Sequence, residues 1–150
     1  SKRSSAAGLR AGFMIGDSSI IAMYRKLIAN TGVVVSEPQL RAAEALYNDD
    51  EHVRKNRYFY DTNFAISEKL LKVPKPHGGF FHFIPVKNDI EAAKHLWEYH
   101  AIKTMPGSFM ANNTIEGNPG SNYLRLALVH EKKITLKALS RISKGLQEIK

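Results

Sequence analysis

Two basic side chains near the start of the chain have the types and spacing for carbonyl and phosphate chemistry. They are Lys2 and Arg10, joined by Arg3-Ser-Ser-Ala-Ala-Gly-Leu9. A lysine amine condenses with a carbonyl once its surroundings favour the neutral form. An arginine fork grips phosphate through paired N–H donors, and small neighbours let backbone N–H groups reach the same anion. A molecule carrying both an aldehyde and a phosphate would use both. The same residues also suit a solvated basic end, and a basic, Ser/Ala-rich stretch without acids has the make-up of a mitochondrial targeting peptide. A third candidate is Arg125, inside Tyr123-Leu-Arg-Leu-Ala-Leu-Val129. A guanidinium in so apolar a segment needs an acid or a ligand if buried, and neither if it faces out from a sheet.

Other polar residues carry less. The six histidines (His52, His77, His82, His95, His100 and His130) show no metal-ligand spacing, and no metal site is read from them. His95 and His100 are five apart, which does not align them on one helical face. His82 sits in an alternating segment and is expected on a surface or lining a site. Asp49-Asp-Glu51 reads as helix-start charge. Gly78-Gly79 and Gly117-Asn-Pro-Gly120 read as turns, without the spacing of a phosphate-binding fingerprint. Phe59, Tyr60 and Phe64 are expected in packing.

These residues must be held by elements that the pattern outlines. Gly12-Phe-Met-Ile-Gly16, an apolar run between glycines, predicts a buried strand. Asp17 or Ser18 caps a helix carrying Ile20, Ile21, Met23, Tyr24, Leu27 and Ile28, which Thr31-Gly32 ends. Ser36-Glu-Pro-Gln39 has the form of a capping box and opens a helix with Leu40, Ala43 and Leu46/Tyr47 on one face. Asn48-Asp-Asp50 breaks it, and a longer helix follows to Leu70/Leu71. Pro74-Lys-Pro-His-Gly-Gly79 is the clearest breaker.

Beyond it the pattern predicts a strand over Phe80–Val86, a helix from Asn88 or Asp89 to His100, a short strand over Ala101–Met105 and a strand over Tyr123–Val129. A last helix is capped by Thr135 and carries Leu136, Leu139, Ile142, Leu146 and Ile149, with Lys137, Arg141 and Lys144 on its other face. The tail is thus β-α-β-β-α. The first strand has no neighbour in sequence, so residues 1–35 are expected to end a larger α/β sheet, and the chain reads as a fragment.

The net charge is +8, but it lies at the ends: the first thirty residues and the last twenty each carry +4, and the middle hundred are neutral. No continuous basic stripe results, so nucleic acid is not the expected partner. No apolar run is long enough to cross a bilayer. The absence of cysteine excludes disulfides and thiolate metal sites and fits a reducing, cytoplasmic compartment.

The stretch SKRSSAAGLRAGF resembles the Schiff-base lysine signature of class I/II aminotransferases of fold type I, of the form S-x-S-K, a short loop, then P-G-x-R-x-G. Phe80–Val86, Met105-Pro-Gly-Ser-Phe109 and Gly117-Asn-Pro-Gly-Ser-Asn-Tyr-Leu-Arg-Leu-Ala-Leu-Val129 are similar to successive pieces of the same family's C-terminal half. Within the family, the first of these runs and the tail GNPGSNYLRLALV are most similar to succinyldiaminopimelate aminotransferases, an enzyme of lysine biosynthesis. Two departures stand out. Ala7 replaces the usual Pro, and the motif's first serine would fall two positions before Ser1.

The resemblance implies an α/β fold, the C-terminal portion of a pyridoxal-phosphate-dependent transferase. Residues 1–35 would end the large cofactor-binding domain, 36–73 would link, and 74–150 would form a small α+β domain. It implies pyridoxal 5'-phosphate as cofactor, held by Lys2 as a Schiff base and by Arg10 at the phosphate. Lys2 would then serve as catalytic base and acid, and Arg125 would bind the substrate α-carboxylate. Amino-acid and keto-acid substrates, an N-terminal half supplying the rest of the site, and a homodimer of the full-length protein would be its partners. The chain alone would be inactive, or would be a non-catalytic binding module.

Overall fold

The computed structural model describes residues 2–149. The chain forms two compact units, Ser1–Arg57 and Tyr58–Lys150. No helix of the described residues is long and apolar enough to cross a membrane.

The first unit opens on a turn and a single 3₁₀ turn, Ala7–Leu9. Residues 12–16, expected as a strand, form none. All three strands of the sheet lie within residues 81–127, so among the described residues this segment has no ladder partner that would make it a strand. Phe13 and Ile15 are 72% and 87% exposed. Helix α1 (Ser18–Thr31) begins where Asp17 accepts the Ser19 and Ile20 N–H groups and ends at Gly32, in the left-handed conformation. It buries no residue, and Ile20, Met23 and Leu27 are exposed. Helix α2 (Glu37–Asn48) starts at the expected box: Gln39 Oε1 accepts from the Ser36 N–H at 3.2 Å and from its hydroxyl at 2.9 Å. Ala43 is its buried residue. Helix α3 (Glu51–Leu71) follows, its first turn held by Asp49 accepting the Glu51 N–H at 2.8 Å.

The second unit is a two-layer α/β sandwich. Strands β1 (Phe81–Pro85), β2 (Met105–Pro106) and β3 (Tyr123–Ala127) form an antiparallel sheet in the order β1-β3-β2. Only Met105 of the predicted Ala101–Met105 strand is extended into the sheet. Ala101 instead ends helix α4 (Asp89–His100) in the left-handed conformation, its N–H bonded to Trp97. Asn88 caps that helix, accepting from Ile90 and Glu91. Helix α5 (Lys132–Glu148) is entered from Glu131, four residues before the expected cap Thr135. Thr135 is buried inside the first turns, where its hydroxyl donates to the His130 carbonyl at 2.8 Å. The core-facing stripe therefore runs Thr135, Leu139, Ile142 and Leu146, and Leu136 is exposed.

Alternation along the strands sends His82, Ile84, Leu124 and Leu126 inward, against Phe64 of α3, Ala92 and Leu96 of α4, and Leu139 and Ile142 of α5. His82 is thus core and not surface. Its Nδ1 lies 2.8 Å from the Ser67 hydroxyl and its Nε2 3.1 Å from the Pro74 carbonyl. The arrangement assigns the neutral ring with its proton on Nε2. Burial pushes the His82 pKa down, against the smaller upward pulls of the Pro74 carbonyl and Glu68. Asn63, also fully buried, donates from Nδ2 to the Leu128 and His130 carbonyls, each at 2.9 Å, closing the end of β3. Both polar clusters satisfy groups that would otherwise be orphaned in the core.

Candidate functional site

The loop that carries Lys2 and Arg10 is pinned at both ends to α2. Arg3 donates to the Leu46 carbonyl at 2.7 Å, pairs with Asp50 and lies over the Tyr47 ring at 5.7 Å. At the other end, Gln39 Nε2 donates to the Leu9 carbonyl at 3.3 Å. Between these anchors the Ser5 N–H donates to the Lys2 carbonyl, and Ser5 and Arg10 both adopt positive φ, 54° and 52°. Non-glycine residues there cost on the order of 1 kcal/mol each, a cost the anchors must hold in place. Lys2 and Arg10 are both exposed. The Arg10 guanidinium folds back to the Ala7 carbonyl at 3.3 Å. The sequence marked neither Arg3 nor Gln39 as an anchor of this loop. The only trace they left is that one follows Lys2 directly and the other sits in the capping box.

Arg125 belongs to the second unit, at the middle of β3. It faces outward with Tyr123 and Ala127, between Phe83 of β1 and Met105 of β2 in register. Its guanidinium lies 4.3 Å over the Phe81 ring. No carboxylate of the described residues comes within ion-pair distance of it. The aromatic contact orients the fork without neutralising it, leaving its charge for an anion.

What holds β3 in that register is a junction that sequence reasoning passed over. Asp89, at the start of α4, accepts the Ser108 N–H at 2.9 Å and the Asn122 N–H at 3.3 Å. Burial alone would raise its carboxyl, but the hydrogen bonds from Ser108 and Asn122 outweigh it and hold the pKa below the usual carboxylate range. Asn118 donates to the Ser108 and Ala111 carbonyls. Gly107 and Gly120 pack backbone to backbone: a Cβ on Gly107 would stand 2.2 Å from the Gly120 oxygen, and one on Gly120 2.1 Å from that of Gly107. The two Pro-Gly motifs are therefore a pair of interlocked loops, one leaving β2 and one entering β3. A groove of this unit, about 770 Å³, is lined by Leu70, Val73, Ile84, Val86 and Leu146 among others and includes none of Lys2, Arg10 and Arg125.

The family model for class I and II aminotransferases matches residues 1–142. A probable aminotransferase of Mycobacterium tuberculosis is 42% identical over 151 residues, covering 95% of this chain and 34% of that protein. Among solved structures, an aminotransferase from Neisseria meningitidis is similar with a TM-score of 0.90 at 34% identity, over 97% of this chain and 38% of that one. The aminotransferase AspB from Helicobacter pylori is similar with a TM-score of 0.86, also at 34% identity and with the same coverage. The chain spans about a third to two fifths of the length of these relatives. Its α/β fold with a small antiparallel sheet is part of the pyridoxal-phosphate-dependent transferase fold. Enzymes of this family depend on pyridoxal phosphate. The donor set of the anchored loop fits that group: an exposed amine for an aldehyde and an exposed guanidinium for a phosphate.

Proposed function

Because the chain belongs to the class I and II aminotransferases, we propose that it is the C-terminal portion of an enzyme that moves an amino group from an amino acid, such as glutamate, to a keto acid. The observation that carries this reading is Arg125, a half-buried guanidinium oriented on Phe81 with no acid paired to it among the described residues. A substrate α-carboxylate would complete it as a bidentate pair.

Pyridoxal phosphate, when bound, supplies the electron sink that acidifies the substrate's α C–H bond. This chain's residues do the rest. Lys2 would hold the cofactor's carbonyl carbon through its amine and, when that amine is free, would take and return the proton at the substrate α-carbon. Arg10 would turn from the Ala7 carbonyl to the cofactor phosphate, exchanging a neutral acceptor for an anionic one. Arg125 would bind the substrate by its α-carboxylate.

In this reading residues 1–35 end the large domain, 36–73 link and 74–150 form the small domain of a cytoplasmic homodimer. An N-terminal half completes the cofactor pocket, and the exposed apolar residues from Phe13 to Val34 support its presence. The runs SKRSSAAGLRAGF and GNPGSNYLRLALV favour succinyldiaminopimelate as the amino-acid product, a step of lysine biosynthesis. The chain alone is expected to be inactive.

The test treats the chain with pyridoxal phosphate and borohydride and maps the pyridoxyl-lysine by mass, beside a Lys2→Ala variant. Label concentrated on Lys2, with transamination of glutamate regained when an N-terminal half is added, is the expected result. Label spread evenly over surface lysines, with no activity regained, overturns it.

A further inference from the structure

We propose that His95, His100 and Glu148 form a binding site for a divalent transition-metal ion of the zinc or cobalt type, at the crossing of α4 and α5 and separate from the proposed transamination chemistry. One ligand atom from each of the three side chains lies within 4.8 Å of the other two. Glu148 Oε2 lies 3.0 Å from His95 Nε2 and 2.8 Å from His100 Nε2. Two imidazole nitrogens and a carboxylate oxygen form a set that suits zinc or cobalt better than calcium or magnesium, which favour oxygen alone.

The five-residue separation of the histidines concealed this convergence. On an ideal helix they point apart, but His100 is the last residue of α4 and Glu148 the last of α5, so helix ends and not one helix face bring them together. Their rings stand 5.5 Å apart between centroids, and His95 also packs on Tyr99 at 4.9 Å. Gly145 admits the geometry. A Cβ there would lie 2.7 Å from His100 Cδ2, 2.9 Å from its Nε2 and 2.8 Å from Leu96 Cδ2, so only glycine lets the His100 ring cross α5 this closely.

Tetrahedral ligands about 2.0–2.1 Å from zinc stand roughly 3.3 Å from one another, so the carboxylate must retreat by a few tenths of an ångström and the two histidine nitrogens, within 4.8 Å of each other, must settle to the same spacing. Glu148 is the ligand able to do so, its side chain being 40% exposed against 19% and 10% for His95 and His100. That exposure also leaves a coordination position for water. Binding uses the Nε2 lone pair of each imidazole, so a proton carried there must move to Nδ1 or pass to solvent as the ion binds. A cation shared by all three groups then replaces two N–H donors that share one carboxylate oxygen. Lys144, one turn before Glu148 and close enough to act on its charge, opposes the ion and weakens the site.

The experiment titrates the full chain with Co²⁺ and follows the visible absorption of tetrahedral cobalt. One equivalent is expected to bind, to be displaced by Zn²⁺ and not by Mg²⁺. Affinity should fall on the order of 100-fold or more in His95→Gln and in Glu148→Gln, whose folding is checked by circular dichroism, and hold in His77→Gln. Independently of any variant, cobalt should broaden the His95 and His100 imidazole resonances before those of His77 and His130. Absence of the cobalt absorption, undiminished binding by the folded variants, or equal broadening of all histidines overturns the proposal.

Discussion

Substituting Gly107 by alanine puts one methyl group into the junction that sets the register of β3. Its Cβ would stand 2.2 Å from the Gly120 oxygen and 2.9 Å from the Tyr123 oxygen, both backbone atoms that no rotamer change can move aside. Reaching an ordinary contact of 3.4 Å requires the two loops to part by about 1.2 Å. The Ser108 N–H, now 2.9 Å from Asp89, and the Asn118 amide, 3.0 Å from the Ser108 carbonyl, sit at that seam and would be stretched out of bonding range. Overpacking costs about 1–3 kcal/mol, and each lost hydrogen bond about 1 kcal/mol, more where Asp89 accepts as an anion. The sum is about 4 kcal/mol, a fall of ~10 °C in Tm for a chain of this size.

Urea denaturation followed by far-UV circular dichroism and by the fluorescence of Trp97, the chain's one tryptophan, measures it in the unit concerned. Gly78→Ala is the control. Nothing lies within 4 Å of its added Cβ and its φ is not positive, so it should be neutral or slightly stabilising. A Gly107→Ala variant within about 1 kcal/mol of the parent, or a Gly78→Ala variant as damaged, would refute the reasoning.

Two further outcomes rest on the buried polar residues. Asn63→Asp exchanges the two N–H donors that serve the Leu128 and His130 carbonyls for an anion facing both oxygens. The expected loss is about 3–5 kcal/mol at neutral pH. Because burial raises that carboxyl's folded pKa above its unfolded value, the defect relative to the parent should shrink on acidification, which paired urea titrations at several pH values would read. His82 gives the opposite dependence. Its folded pKa lies below the unfolded value near 6.5, so the unfolded chain takes the proton first and the stability contributed by the neutral ring is lost as pH falls below about 6.5. Stability measured from pH 7 to 5 should decline more steeply in the parent than in His82→Gln. Parallel slopes would show that burial does not govern this histidine.

The sequence by itself determined the elements whose causes are local. Asp17, Ser36 with Gln39, Gly32 and Asn88 set helix ends through hydrogen bonds and conformations that span only a few residues. The period-two pattern of residues 81–85 and 123–127 was enough to mark strands, and the motif around Lys2 and Arg10 was enough to mark the family. Tertiary structure decided what depends on partners distant in the chain. Phe13–Ile15 has the composition of a strand, but a strand exists only through its neighbour's backbone, and none of the described residues provides one. His82 alternates like a surface residue, and became core because Ser67 and the Pro74 carbonyl could satisfy both ring nitrogens. Thr135 looked like a cap and was buried one turn in. His95, His100 and Glu148 meet only because Gly145 lets two helix ends approach, and neither spacing nor composition carries information about a contact between residues some fifty positions apart.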